Sequence, residues 1–217
     1  MKKSVGLVTL DMKFASLFRE AVSKMGIKII HALDIDELPL SVLVVVAKKS
    51  ELQLENVKRR ILYVEDYSSL EELIEKVLEA LNEVESYQNV LIAIDPGKTI
   101  GVAYLVNGKI IKTSKYFYEE SMLEDIKTFL ERHREAEEKI IVIGSTTTQE
   151  ELSRFLQLMT KHFKGIEGLR VEVIDEFRTT RGVIPREKGL SKDEYSAIML
   201  SLRKKMKLRR VAYNADL

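Results

Sequence analysis

The sequence contains no cysteine, so it has no disulfide framework and no thiolate-held zinc. Its three histidines, His31, His133 and His162, are scattered, and an all-histidine metal site is not expected. Any catalytic metal would have to be held by carboxylates. Long apolar runs are also missing. The longest, Leu38 to Ala47, is broken by Pro39 and Ser41 and falls far short of the roughly 20 residues that span a bilayer. The start, Met1-Lys2-Lys3-Ser4 followed by Val5–Leu10, is basic and then apolar, but it is too short for a signal peptide and lacks a small-residue cleavage site. A soluble, cytoplasmic chain with no membrane partner is expected. What is present is 217 residues, 45% hydrophobic and 32% charged. That is the make-up of a globular protein with one large or two small domains, and it argues against disorder.

The net charge of +1 hides an asymmetry. Residues 1–86 carry 12 Lys/Arg against 15 Asp/Glu, whereas 87–217 carry 23 against 19. From Arg178 to Arg210 there are eleven basic residues and three acidic ones, Glu187, Asp193 and Glu194. Such a run favours a polyanion by Coulomb attraction and counterion release, although a solvated basic tail would read the same way.

Hydrophobic periodicity divides the chain in two. In residues 1–86, Val5–Leu10, Ile27–Leu33, Val42–Ala47 and Arg60–Val64 read as strands. Lys13–Met25 places Phe14, Leu17, Phe18, Ala21, Val22 and Met25 at helical spacing, and Ser68 or Ser69 caps a helix running to about Val84. This predicts a small open α/β domain, flavodoxin-like or receiver-like in size, without a glycine-rich phosphate loop. Its strand-end acids Asp11, Asp34, Asp36, Glu65 and Asp66 are candidates for a receiver-type cluster, but Asp and Glu are also ordinary turn residues. Docking or dimerisation is the role expected of this domain. The polar segment Glu85–Asn89 marks a boundary, and residues 87–217 form the second domain. There Val90–Ile94, Ile100–Val106 and Lys109–Tyr118 read as three antiparallel strands, the last two joined by the Asn107-Gly108 turn. A helix over Ser121–Glu138, a strand over Ile140–Ile143, a helix over Gln149–Phe163, a strand over Arg170–Ile174 and a helix over Ser191–Lys205 follow. The order is β-β-β-α-β-α-β-α, a mixed sheet.

Three carboxylate sites stand out in this second domain. Asp95 ends a wholly apolar strand, and Pro96-Gly97 turns the chain away from it, leaving a charge at the rim of a sheet. Asp175-Glu176 ends another strand and is followed by Phe177-Arg178-Thr179-Thr180. Asp193 lies in the first turn of the last helix, inside the Ser191–Glu194 capping box. Each has a plain structural explanation: a turn, an ion pair, a helix-dipole partner. Together, two strand ends and a helix crossing the same sheet can bring carboxylates to the spacing that a pair of Mg²⁺ ions requires, and such pairs hydrolyse phosphodiesters. Gly97-Lys98-Thr99 imitates a phosphate loop, but Ile92 stands where that loop needs glycine and a strand follows where it needs a helix.

These residues also carry a resemblance. IAIDPGKTIGVAYLVNGKII, Ile92 to Ile111, resembles the opening hairpin of the ribonuclease H-like superfamily, in particular Holliday junction resolvases of the RuvC type and their YqgF relatives. VEVIDEFRTT, Val171 to Thr180, is similar to the YqgF Asp-Glu-Arg-x-Thr-Thr pattern, with Phe177 inserted before Arg178. KDEYSAIMLSL, Lys192 to Leu202, resembles the last helix of both groups. The resemblance spans about residues 88–205 and implies a ribonuclease H-like fold with Asp95, Glu176 and Asp193 as catalytic ligands of Mg²⁺ or Mn²⁺. Two positions depart from the RuvC pattern: Ile143-Gly144-Ser145 stands where that type has a Glu, and Ser196 where it has a second Asp.

The leading expectation is a Mg²⁺-dependent nuclease of branched DNA or structured RNA, resembling a Holliday junction resolvase. Lys98, Arg178, Arg181 and Arg186 would then face phosphates, the three arginines on or beside a loop containing Gly182, Pro185 and Gly189. Symmetric cleavage of a two-fold junction would require a homodimer. The alternative is a catalytically degenerate nucleic-acid-binding or assembly module. An actin-like ATPase would need two such domains and a second phosphate loop, for which the chain has neither length nor glycines.

Overall fold

The computed structural model describes residues 3–23, 25–52, 59–145, 148–174, 190–205 and 210–211. The chain forms two compact units, Met1–Glu85 and Ser86–Leu217, each with its own sheet. Among the described residues no helix is long and apolar enough to cross a membrane.

The first unit runs β1 (Ser4–Val8), α1 (Met12–Ser23), β2 (Lys28–Ala32), β3 (Val44–Ala47), β4 (Arg60–Tyr63), α2 (Leu70–Leu81). Its strands are parallel, in the order β2-β1-β3-β4. The two inner strands are almost wholly buried, which is why they read as unbroken apolar runs. Helix α1 turns Ala15, Phe18 and Val22 inward. Leu17, expected on that face, is 52% exposed, because it lies about 100° round the helix from Phe18. Helix α2 starts as expected, with the Ser69 side chain accepting from the Glu72 N–H. It stops three residues before Val84: Asn82 bonds back to the Leu78 carbonyl at 2.8 Å and Glu83 takes φ 57°, a left-handed exit that ends the helical ladder.

The strand-end acids of this unit are spent locally. Asp11 accepts from the Phe14 N–H at 3.0 Å and from Lys48 Nζ at 2.6 Å. Asp34 caps the turn at Asp36, Glu65 accepts from the Lys49 N–H at 3.0 Å, and Asp66 pairs with Lys49 Nζ. Among the described residues no three His, Asp or Glu side chains are grouped to hold a metal.

The second unit runs β5 (Asn89–Asp95), β6 (Ile100–Val106), β7 (Lys109–Tyr116), α3 (Glu119–Arg132), β8 (Glu138–Gly144), α4 (Gln149–His162), β9 (Leu169–Ile174), α5 (Lys192–Lys205), β10 (Arg210–Val211). Its six-stranded sheet has the order β10-β9-β8-β5-β6-β7. Strands β5, β6 and β7 are antiparallel, and β5, β8 and β9 are parallel. This is the mixed sheet and the element order read from the sequence, and it is compatible with a ribonuclease H-like fold. The Asn107-Gly108 turn has φ 47° and 70°, the left-handed pair that a two-residue hairpin needs.

Alternation along the strands gives the sheet two faces. Ala93, Ala103, Leu105, Ile140, Val142 and Ile174 pack against Ala197, Ile198 and Leu200 of α5. The opposite residues, including Ile92, Ile94 and Tyr104, are buried on the side of α3 and α4, where Tyr104 meets Phe129 at 4.9 Å between ring centroids. Several boundaries differ from the sequence reading, and one short strand is additional to it. Helix α3 ends at Arg132 rather than Glu138, because the ring of His133 is buried against Phe129 and Tyr87 and the chain turns there to enter β8. Strand β7 ends at Tyr116, so Tyr118 precedes α3 instead of extending the strand. The short strand β10, pairing antiparallel with β9, has no apolar run to announce it.

Candidate active site

Asp95 is the last residue of β5, and its side chain is carried to the α5 face with Leu91 and Ala93. Its antiparallel partner is Gly101, and the partner of Gly101 on the next strand is Lys115. On the other side, Gly144 lies one step beyond the Ile94–Ile143 partners. A row Gly144, Asp95, Gly101, Lys115 therefore crosses the sheet at the carboxyl end of β5, with glycine on each side of the carboxylate.

Helix α5 enters over this row. A Cβ built on Gly101 would lie 2.1 Å from the carbonyl oxygen of Asp193 and 2.9 Å from the backbone nitrogen of Glu194. Only a residue without a side chain allows the helix so close to the strand, and the close approach brings Asp193 to the row that holds Asp95. The first turn of α5 is fixed by the expected capping box: the Glu194 N–H donates to Ser191 Oγ at 3.2 Å and the Ser191 N–H to Glu194 Oε2 at 2.9 Å.

The sheet holds both acids of that turn. Thr99 Oγ1 donates to Asp193 Oδ2 at 2.5 Å, Lys115 Nζ is 3.5 Å from the same oxygen, and Thr113 Oγ1 donates to Glu194 Oε1 at 2.9 Å. Burial pushes the Glu194 carboxyl up, but hydrogen bonds from Ser191 and Thr113 and the charge of Lys115 outweigh it and hold the group below its ordinary range. Asp193 is placed differently, its side chain 26% exposed and one oxygen shared between a hydroxyl and an ammonium.

The structure thus brings two of the three predicted carboxylates, Asp95 and Asp193, to one end of one sheet face. Glu176, Arg178, Arg181 and Arg186 lie outside the described residues. Lys98 is exposed in the turn after Asp95 and lines a cleft of about 530 Å³ with Ile100, Glu119, Thr148, Arg154 and Phe155. In the wall of that cleft Arg154 of α4 is forked onto Glu119, the first residue of α3, at 2.5 and 3.1 Å. Gly144 leaves the position beside Asp95 without a carboxylate. Among the described residues no set of three acids is complete. Two aspartates remain a hard oxygen donor set, and Mg²⁺ is commonly held by one or two carboxylates plus the substrate's phosphate oxygens. The residues present fit such an ion.

Sequence reading missed Gly101, Thr99 and Lys115 as parts of this site. A glycine inside an otherwise apolar strand is a sign of close backbone approach, so Gly101 was findable. Thr99 and Lys115 become site residues only through the pairing of three strands and have no local signal.

No protein-family profile and no curated protein sequence matches the chain. Among solved structures, T. thermophilus RuvC in complex with a Holliday junction substrate is similar, with 14% identity and a TM-score of 0.41 over 54% of this chain and 96% of that one. Aa-Ago with externally bound siRNA is similar over 80% of this chain and 35% of its own, with 11% identity and a TM-score of 0.26.

Proposed function

We propose that the second unit is a nuclease, dependent on Mg²⁺ or Mn²⁺, that hydrolyses phosphodiester bonds of branched DNA or structured RNA. Asp95, Glu176 and Asp193 are its metal-holding carboxylates, and Lys98, Arg178, Arg181 and Arg186 are its phosphate contacts. The observation that supports this most is the seating of Asp193 against Gly101, directly across from Asp95. Residues 98 positions apart in sequence come to the same end of one sheet face there, and simple helix capping gives no reason for that.

A bound divalent cation supplies Lewis-acid polarisation of the phosphodiester and an activated water. The chain's part is to place its ligands. Asp95 is fixed by the strand, and Asp193 is held by the capped first turn of α5 and turned by the Thr99 hydroxyl. Lys115 lowers the negative charge that two neighbouring aspartates would otherwise concentrate.

The same lysine favours a second reading, a nucleic-acid-binding or assembly module without turnover. An ammonium on Asp193 and a glycine at 144 are what a site that has stopped holding two cations would carry. The two readings separate on incubation with four-way-junction DNA, duplex DNA, single-stranded DNA and structured RNA in Mg²⁺ or Mn²⁺. Cleavage by the wild type and not by Asp95→Asn supports the nuclease. Equal, salt-sensitive binding by both proteins with no cleavage leaves the binding module.

A further inference from the structure

Beside the carboxylates stands an aromatic side chain that neither the core nor the proposed chemistry uses. Phe117 is 71% exposed, and the next residue, Tyr118, is 72% exposed. Phe117 follows Tyr116, the buried end of β7, by one residue and Lys115 by two. The Lys115 ammonium lies 5.6 Å from the centre of the Phe117 ring and 3.5 Å from Asp193 Oδ2. One lysine side chain therefore lies between the ring and the Asp193 carboxylate. The cation–ring distance is one at which the quadrupole of the ring attracts the charge. An exposed phenyl ring beside a cation at the rim of a phosphate-handling site has the chemistry of a base-stacking platform: the ring takes the π-face of an unpaired base and the ammonium takes the backbone.

We propose that Phe117 stacks an unpaired or splayed-out nucleobase of the substrate next to the Asp95–Asp193 site. This rests on the nuclease reading for its choice of nucleic acid as occupant, and it deepens that reading by naming an unpaired base as a feature the site selects. It also gives the branch point of a junction, or a loop of a structured RNA, a reason to be preferred over continuous duplex, whose bases are already stacked on each other.

The test uses the full chain in EDTA, so that binding is read without turnover. The probe is a single-stranded oligonucleotide carrying 2-aminopurine, with a fully paired duplex of the same sequence beside it. The wild type should quench the fluorescent base in the single strand and leave the duplex unaffected. Phe117→Ala should lose that quench and bind the single strand about tenfold more weakly, the scale of one lost base–aromatic stack. Phe117→Trp should restore both. Stacking is not charge neutralisation, so the slope of log affinity against log salt should be unchanged in Phe117→Ala. An unchanged melting temperature excludes a folding defect, as expected for so exposed a ring.

Equal quenching and affinity in wild type and Phe117→Ala would overturn the proposal while leaving the nuclease reading intact. So would a loss of self-association in Phe117→Ala with binding unaltered, which would make the ring a contact between copies of the chain. Failure of the nuclease reading looks different: no cleavage in Mg²⁺ by a wild type that still quenches the probe, which would leave the stacking platform in place on a binding module.

Discussion

Substituting Gly101 by alanine is the sharpest perturbation of the account, because a single methyl group meets main chain and not a yielding side chain. The new Cβ would fall 2.1 Å from the Asp193 carbonyl oxygen and 2.3 Å from its carbon, where ordinary contact begins at 3.4 Å. The first turn of α5 must retreat by about 1.3 Å, and the inner strand it faces is held on both edges and cannot yield instead. A retreat of that size stretches the Thr99–Asp193 and Thr113–Glu194 hydrogen bonds, now 2.5 and 2.9 Å, beyond useful length. Overpacking costs about 1–3 kcal/mol and each lost hydrogen bond about 1 kcal/mol. A net loss of about 3 kcal/mol is expected. It should be read by calorimetry as a fall of roughly 6–12 °C in Tm, at about 2–4 °C per kcal/mol. The control is Gly97→Ala in the exposed turn nearby, whose Cβ would meet only the Thr99 carbonyl at 3.4 Å and should shift stability by less than about 0.5 kcal/mol. A Gly101→Ala protein that melts with the wild type would mean that α5 does not sit on β6, and the pairing of Asp95 with Asp193 would lose its basis.

Lys115→Met removes the ammonium beside Asp193, so a divalent cation would no longer compete with it; Mn²⁺ affinity measured by titration should rise about fivefold, the effect of roughly 1 kcal/mol of charge repulsion in a water-like dielectric. Unchanged or weaker affinity would show that the lysine does not share the ion's site. Tyr116 is buried and donates to Asp125 at 2.7 Å while sharing a 2.8 Å hydrogen bond with Tyr104; burial foremost raises its hydroxyl above the ordinary tyrosine range. A raised group adds stability in full below about pH 10, the unfolded value, and loses it as pH climbs toward the folded one. Alkaline titration by tyrosinate absorbance should therefore show a tyrosine that ionises only on unfolding, absent in Tyr116→Phe, which should also cost about 1–2 kcal/mol. In the first unit, the Lys48 hydrogen bond and the Phe14 N–H hold the Asp11 carboxyl below its usual range. Its contribution is present above the ordinary carboxylate range and is lost as pH falls through the lower, folded value. Asp11→Asn should flatten that part of the acid denaturation curve, and an unchanged curve would refute the pairing.

The fold was legible where burial leaves a periodic trace. Val44–Ala47 and Ile100–Val106 are apolar throughout because both faces of each strand are covered, and Asn107-Gly108 announces its hairpin by backbone chemistry. Helix ends were less legible. Asn82 and His133 stop their helices by side-chain contacts, one bonding back to a carbonyl and one burying its ring, and neither leaves a glycine or proline to read. Of the site, Asp95 and the Ser191–Glu194 box stood out because a charge ending an apolar strand and a capping pattern are local signals. Lys115, Thr99 and Phe117 were illegible for the opposite reason. Their proximity comes from strand register and from the approach of a helix almost a hundred residues away, and no window of sequence contains that.

The most direct measurement is calorimetric titration of Mn²⁺ into the wild type, Asp95→Asn and Asp193→Asn. One ion held by both aspartates predicts a binding event in the wild type that each substitution abolishes on its own, with Tm essentially unchanged in the absence of metal. Retention of that event in both variants, or its loss in only one, would contradict a shared site and with it the proposed nuclease.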